Sequence, residues 1–78
     1  MTHRATITLE GPQADVVRQA LSPEAGRDVP KARVALRGRA GRVSIEIEAE
    51  DTSALRAAVN SYLRWADVAA RVHSEAKA

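Results

Sequence analysis

The chain has no cysteine. That excludes disulfide staples, thiolate metal sites and cysteine nucleophiles together. It has no phenylalanine, one tryptophan, one tyrosine and one methionine, so its core must be assembled from Ala, Val, Ile and Leu. At 78 residues a single core is only marginally sufficient, and a small fold without staples often leans on a partner or a second copy. No stretch approaches the roughly eighteen apolar residues of a membrane span. No secretory signal pattern opens the chain, because Met1–Glu10 (MTHRATITLE) is polar and alternating. Charge of one sign is also lacking: the formal net charge is +2, with acids and bases interspersed, where a nucleic-acid binder shows a concentrated basic surface. These absences lead us to expect one soluble cytoplasmic domain spanning residues 1–78, with residues 1–2 and 74–78 frayed.

What is present is a set of clean periodicities. His3–Glu10 alternates, with Ala5, Ile7 and Leu9 against Thr6, Thr8 and Glu10, the pattern of a half-buried strand. Gly11-Pro12 breaks it, and Pro12 suits the first turn of a helix, where its missing N–H costs nothing. Gln13–Leu21 reads as a short helix with Ala14, Val17, Ala20 and Leu21 on one side. Ser22-Pro23 and Gly26 end it, and Pro23–Lys31 is a loop. Ala32–Gly38 is a second strand and Val43–Glu50 a third, joined by the turn Arg39-Ala40-Gly41-Arg42, in which Gly41 supplies a positive φ. Register supports this hairpin. Leu36 opposite Ile45 and Val34 opposite Ile47 keep inward residues together, and the same register sets Arg33 across from Glu48 and Arg37 diagonal to Glu46. Asp51 or Thr52 caps a final helix running to Val72.

The resulting order, β-α-β-β-α, with every strand polar on one face, predicts an α+β two-layer sandwich with both helices on the other face. A right-handed crossover makes the first two strands parallel. The third strand, the most uniformly apolar, then lies between them in a wholly antiparallel sheet of order 1-3-2. Two open edges remain, and an open edge invites a second chain, so a homodimer joined through sheet edges is expected.

Little in the chain points to catalysis. Nucleophilic catalysis needs a nucleophile, a base and an orienting group held together. The two histidines, His3 and His73, are isolated near the ends, and no ligand spacing for zinc occurs. We expect no catalytic, cofactor-binding or metal-binding residues. The acidic row Glu46, Glu48, Glu50 and Asp51 faces Arg33 and Arg37, so a charge-paired surface explains it better than a metal site. Gly38-Arg39-Ala40-Gly41 matches the GxxG with which KH domains clamp nucleic acid, but here the motif joins strands and turn geometry accounts for it. Arg33, Arg37, Arg39 and Arg42 cluster at the hairpin, and Arg56, Arg64 and Arg71 line the last helix. Arginine favours planar pairing with carboxylate or phosphate. Of these, Arg37, Arg39, Arg42 and Arg64 are candidate RNA contacts, although no exposed aromatic is interleaved to stack bases.

The last helix carries the strongest signal. At about 100° per residue, Leu55, Val59, Tyr62, Leu63, Ala66 and Ala70 form one apolar stripe. Ala58, Trp65, Val68 and Val72 form another, displaced by roughly 120°. Only Arg56, Asn60, Arg64, Asp67 and Arg71 make a polar wedge. A helix on one face of a small sheet needs one stripe. The second, with the sole tryptophan, a residue enriched in binding hot spots, calls for another protein to cover it, and Val16 extends the same patch.

Ala49-Glu50-Asp51, Leu55-Arg56-Ala57 and Asn60-Ser61-Tyr62-Leu63-Arg64-Trp65 closely resemble the signature of the small Pcc (CTAG-like) subunit of the KEOPS complex. Length and element order match as well, so the resemblance covers nearly the whole chain. It implies a non-catalytic subunit of an assembly that makes the threonylcarbamoyl modification on the tRNA adenosine next to the anticodon. It further implies dimerisation through the sheet and packing of both helices against helices of an ATPase-like catalytic subunit, so that a dimer bridges two copies. On this resemblance Leu55, Ala58, Val59, Tyr62, Trp65 and Val72 become candidates for core or catalytic-subunit contact. With Val16 and Val68 they make up the expected partner interface. The arginine-rich hairpin departs from many relatives. Two other readings stay open: a small KH-like RNA-binding module using its arginines directly, and a stand-alone regulatory dimer with a ligand between subunits.

Overall fold

The structure, a computed structural model, describes residues 3–25 and 31–77. The expected frayed residues 1–2 and 78, and Gly26 with most of the expected loop, lie outside the described residues. The elements are β1 (His3–Glu10), α1 (Ala14–Ala25), β2 (Ala32–Arg39), β3 (Arg42–Ala49) and α2 (Thr52–Lys77). The three strands form one antiparallel sheet in the order β1-β3-β2, and α1 and α2 cover one face of it. This is the expected α+β sandwich.

The hairpin register is the one the alternation demands: Leu36 opposite Ile45, Val34 opposite Ile47 and Arg33 opposite Glu48. On the other side, Ile7 meets Ile45 and Ala5 meets Ile47. β3 is therefore flanked by a strand on each side and covered on one face by the two helices. Its inward residues Val43, Ile45, Ile47 and Ala49 are at most 1% exposed. Ala14, Val17 and Leu21 of α1 and Tyr62 and Ala66 of α2 close the core above them. The outward ladder is held by the Arg37–Glu46 ion pair at 2.9 Å and a Thr8–Ser44 hydroxyl contact at 3.2 Å.

The connections follow local chemistry. β2 and β3 run one residue closer to the turn than expected, to Arg39 and from Arg42, leaving only Ala40-Gly41 between them. Gly41 has φ +78° while Ala40 stays at negative φ, the sign pattern of a type II turn. Gly11, at φ +127°, donates its N–H to the Gly41 carbonyl at 2.9 Å, tying the β1–α1 corner to the hairpin. At the other end of the sheet, Glu50 N–H donates to the Lys31 carbonyl at 2.9 Å.

Two helix ends and two placements differ from expectation as well. α1 continues through Ser22-Pro23 to Ala25. Pro23 falls in the last turn, where its ring forfeits a single bond to the Gln19 carbonyl and its fixed φ is already helical. Ala20 is exposed rather than inward, because it lies about 100° from Leu21 on the far side of the Ala14–Val17–Leu21 arc. α2 runs past Val72 to Lys77, through Glu75, Ala76 and Lys77, which are good helix formers with no Pro or Gly to stop them. Leu63, expected in the core stripe, is 44% exposed. The sheet reaches only the centre of that stripe, and Leu63 sits on its margin.

α2 begins at a defined cap. The Asp51 carboxylate accepts from Ala54 N–H at 2.7 Å, and its carbonyl accepts from Leu55 N–H at 3.1 Å. The Lys31–Asp51 contact at 3.9 Å is exposed on both sides and adds little. Asp51→Ala should therefore lower stability by about 1 kcal/mol, while Asp51→Asn, which keeps the acceptor, should cost only a few tenths. Urea unfolding midpoints of the two variants check this.

Candidate protein-protein interface

α2 is longer than the sheet that supports it. Its 26 residues span about 39 Å at the helical rise, whereas eight-residue strands span about 27 Å. The whole chain is drawn out accordingly, 41 × 20 × 17 Å. α2 packs on the core as far as Ala70, while Leu63, Trp65, Val68 and Val72 stand on it with little of the chain's own substance to cover them.

Those side chains lie on two flanks. Leu55, Ala58, Val59, Ala69 and Ala70 are half-buried around the fully covered Tyr62 and Ala66. On one flank of this arc stand Trp65 at 41%, Val68 at 51% and Val72 at 59% exposure. The Trp65 ring is held edge-on against Tyr62, with centroids 5.1 Å apart and planes at 70°, so the indole is anchored on one side and open on the other. On the opposite flank Leu63 borders a groove of about 350 Å³, lined by Leu9 of β1, Ala14 and Val17 of α1, and Ala66 and Ala70 of α2, with Glu10, Gln13 and Asp67 also on its wall. The polar wedge Arg56, Asn60, Arg64, Asp67 and Arg71 is exposed throughout. It separates the two apolar flanks along the outer surface, and Arg71 pairs with Asp67 one turn away at 3.1 Å.

The sequence-derived interface residues therefore divide. Trp65, Val68 and Val72 form the open ridge. Leu55, Ala58 and Val59 are half-buried beside it, and Tyr62 is 3% exposed and belongs to the core. Val16 is half-buried on α1 and does not line the groove. Leu63 and the groove it borders were not anticipated. The available signal was Leu63's place at the edge of the core stripe, next to the polar wedge.

The remaining candidates are dispersed. Arg37, Arg39 and Arg42 meet at the hairpin end of the sheet, while Arg64 stands on α2 away from them. Gly38–Gly41 runs strand–turn–strand, without the helices a KH clamp requires. Among the described residues no group of three or more His, Asp or Glu side chains could hold a metal ion. No helix there is long and apolar enough to cross a membrane.

The family model described as "Transcription factor Pcc1" matches residues 2–74. The chain belongs to the Pcc1 family. A curated relative, named KEOPS complex subunit Pcc1, from Pyrococcus abyssi (strain GE5 / Orsay), is 54% identical over 39 residues, which is 50% of this chain and 48% of the relative. The matched stretch thus spans about half the length of that relative.

A ridge residue and a core residue on the same helix should behave oppositely on mutation. Val68→Ser removes an exposed side chain and should shift stability by no more than about 0.5 kcal/mol. Tyr62→Ala opens the core and should cost about 3 kcal/mol or more. Chemical denaturation of the isolated chain reads both.

Proposed function

We propose that this chain is a non-catalytic, dimerising scaffold subunit of a KEOPS-type assembly in the cytoplasm, supporting threonylcarbamoyl modification of the tRNA adenosine next to the anticodon. The observation that carries the proposal is the exposed apolar surface of α2, present in a chain of the Pcc1 family that has a relative named as a KEOPS complex subunit. The partner on that surface is the ATPase-like catalytic subunit, seated through its own helices.

Magnitudes decide how much of α2 the partner must cover. Fully burying an aliphatic side chain contributes about 1.5–3 kcal/mol. Trp65, Val68 and Val72 are already 41–59% exposed rather than free, so each has about 1 kcal/mol left to give. Association costs about 4–15 kcal/mol in lost rigid-body freedom, which three such residues cannot offset. The partner must also occupy the Leu63 groove, reaching both flanks of α2 with helices laid alongside it. Helices are the natural occupants, because an apolar stripe on a partner helix matches a groove between two antiparallel helices.

The dimer uses the other free feature of the fold. β1 and β2 each leave one edge unpaired in the single chain, and a main-chain ladder between two copies would satisfy it. A dimer of scaffolds then carries two catalytic subunits.

Co-expression with the catalytic subunit tests the reading. Wild type should co-elute with it, and Trp65→Asp should lose most of the complex while remaining folded and dimeric by light scattering. Co-elution undiminished by both Trp65→Asp and Leu63→Asp would place the contact elsewhere and end the proposal for α2. A wild-type chain that stays monomeric at micromolar concentration would end the edge-paired dimer.

A further inference from the structure

The two open strand edges differ in chemistry, and the sheet register says what each presents. Gly11 N–H donates to the Gly41 carbonyl beside β3, and the direction of the backbone groups alternates along a strand. Leu9, Ile7 and Ala5 therefore turn their N–H and C=O toward β3. Arg4, Thr6, Thr8 and Glu10 turn theirs to the open edge of β1. At the other end of the sheet Glu50 N–H donates to the Lys31 carbonyl. By the same alternation Ala32, Val34, Leu36 and Gly38 carry the open groups of β2.

β1 is complementary to itself. Two antiparallel copies must meet in a register that keeps their apolar faces together, and a one-residue slip reverses the faces. Centred on Ile7, the pairing sets Arg4 against Glu10 of the second copy, Thr6 against Thr8, Ala5 against Leu9 and Ile7 against itself. The residues with open backbone groups then face one another, so the whole edge from Arg4 to Glu10 is satisfied. The cationic and anionic ends of the strand become two ion pairs related by the dyad, and the threonines meet hydroxyl to hydroxyl. Both charges are available: Arg4 has no ion pair among the described residues, and Arg42 reaches Glu10 only at 4.0 Å.

β2 repels itself. Its outer face carries Arg33, Ala35, Arg37 and Arg39 and no acid. A register centred on Val34 sets Arg37 against Lys31 of a second copy. Centring on Ala35 sets Arg33 against Arg37, and centring on Leu36 sets Arg33 against Arg39. Like charges placed so destabilise a sheet. Of the three arginines only Arg37 has an ion pair among the described residues, with Glu46 at 2.9 Å. Positive charge also reaches β2 from the helical side. The Arg18 stem fills the space left by Gly38, where a Cβ would stand 2.7 Å from Arg18 Cδ, and Arg18 Nε is buried there without a hydrogen-bond partner among the described residues.

We infer that two copies of this chain join through β1 in the register centred on Ile7, and that the arginines of β2 keep the other edge from pairing. This rests on the dimer proposed above and names the edge that makes it and the charges that select it. Such an assembly closes at two copies, because β2 offers no second ladder to extend it.

The test is sedimentation velocity of the full chain and its charge variants over a micromolar dilution series at low salt. Arg4→Glu and Glu10→Arg each set like charges at both ends of the ladder and should raise the dimer dissociation constant about ten-fold or more. An equimolar mixture of the two variants should recover a dimer of wild-type strength, seen as the heterodimer by native mass spectrometry, because one edge is then wholly acidic and the other wholly basic. The Arg4→Glu/Glu10→Arg chain should pair with itself as wild type does. Thr6→Pro removes an open-edge N–H without touching the β1–β3 ladder and should leave a monomer that circular dichroism shows folded. Arg33→Glu should leave the dissociation constant unchanged. A dimer indifferent to both single swaps, or tightened by Arg33→Glu, overturns the choice of β1 while the dimer itself stands. Single variants that weaken the dimer and do not recover on mixing overturn the register. A wild-type chain that is monomeric throughout overturns the dimer on which the inference rests.

Discussion

Every other feature of the molecule depends on the covering of β3. A three-stranded sheet has one apolar face and no second sheet to hide it. Here that face is centred on four small or branched side chains, Val43, Ile45, Ile47 and Ala49, which are at most 1% exposed. With no phenylalanine to span the gap, the helices must come close. Ala14 and Ala66 among the buried positions permit that approach, Leu21 of α1 fills the space from above, and Tyr62 is the one aromatic among the buried core residues. The chain therefore obtains a core by tight layering of small residues, not by bulk.

That solution has a geometric consequence. α1 and α2 are of unequal length, 12 and 26 residues, and the sheet below them is about 27 Å long. The longer helix cannot be covered along its whole length by an eight-residue strand or by the shorter helix. The apolar residues left open, Trp65, Val68 and Val72 on one flank and Leu63 on the other, run from the middle of the helix toward its C-terminal end. Exposure of this kind is costly to a lone chain, and it is the physical basis for reading α2 as a docking rod. Charge gathers at the hairpin end of the outer sheet face, with Arg37, Arg39 and Arg42, and along the wedge of α2 that separates its two apolar flanks.

Much of this was legible in the sequence because strands and amphipathic helices carry their own rulers. The alternation in His3–Glu10 and Val43–Glu50 has one register with Ala32–Gly38 that pairs Leu36 with Ile45 and Val34 with Ile47, and the structure adopts it. The polar wedge from Arg56 to Arg71 likewise left only one arc of α2 free to face the core. Where reading by period failed, a neighbour or a length decided the outcome. Leu63 shares the core stripe by angle, but no strand or helix lies over it. Ala20 is apolar and near the buried arc, yet it turns outward. Pro23 is a helix breaker in general and harmless in a last turn.

The linear order of residues by itself determined the three strands, the 1-3-2 ladder, the glycine turn at Gly41 and the double apolar character of the last helix, since each follows from a period of two or of 3.6 and from local backbone sterics. Tertiary structure alone decided which apolar residues stay open and which charges stay unpaired. Tyr62 and Trp65 are three positions apart on the same helix, and only the reach of the sheet makes one core and the other surface. Arg18 and Gly38 are twenty residues apart, and only the packing of α1 on β2 sets that side chain over the missing Cβ. Burial and charge compensation are properties of neighbours across the chain, and no local period encodes them.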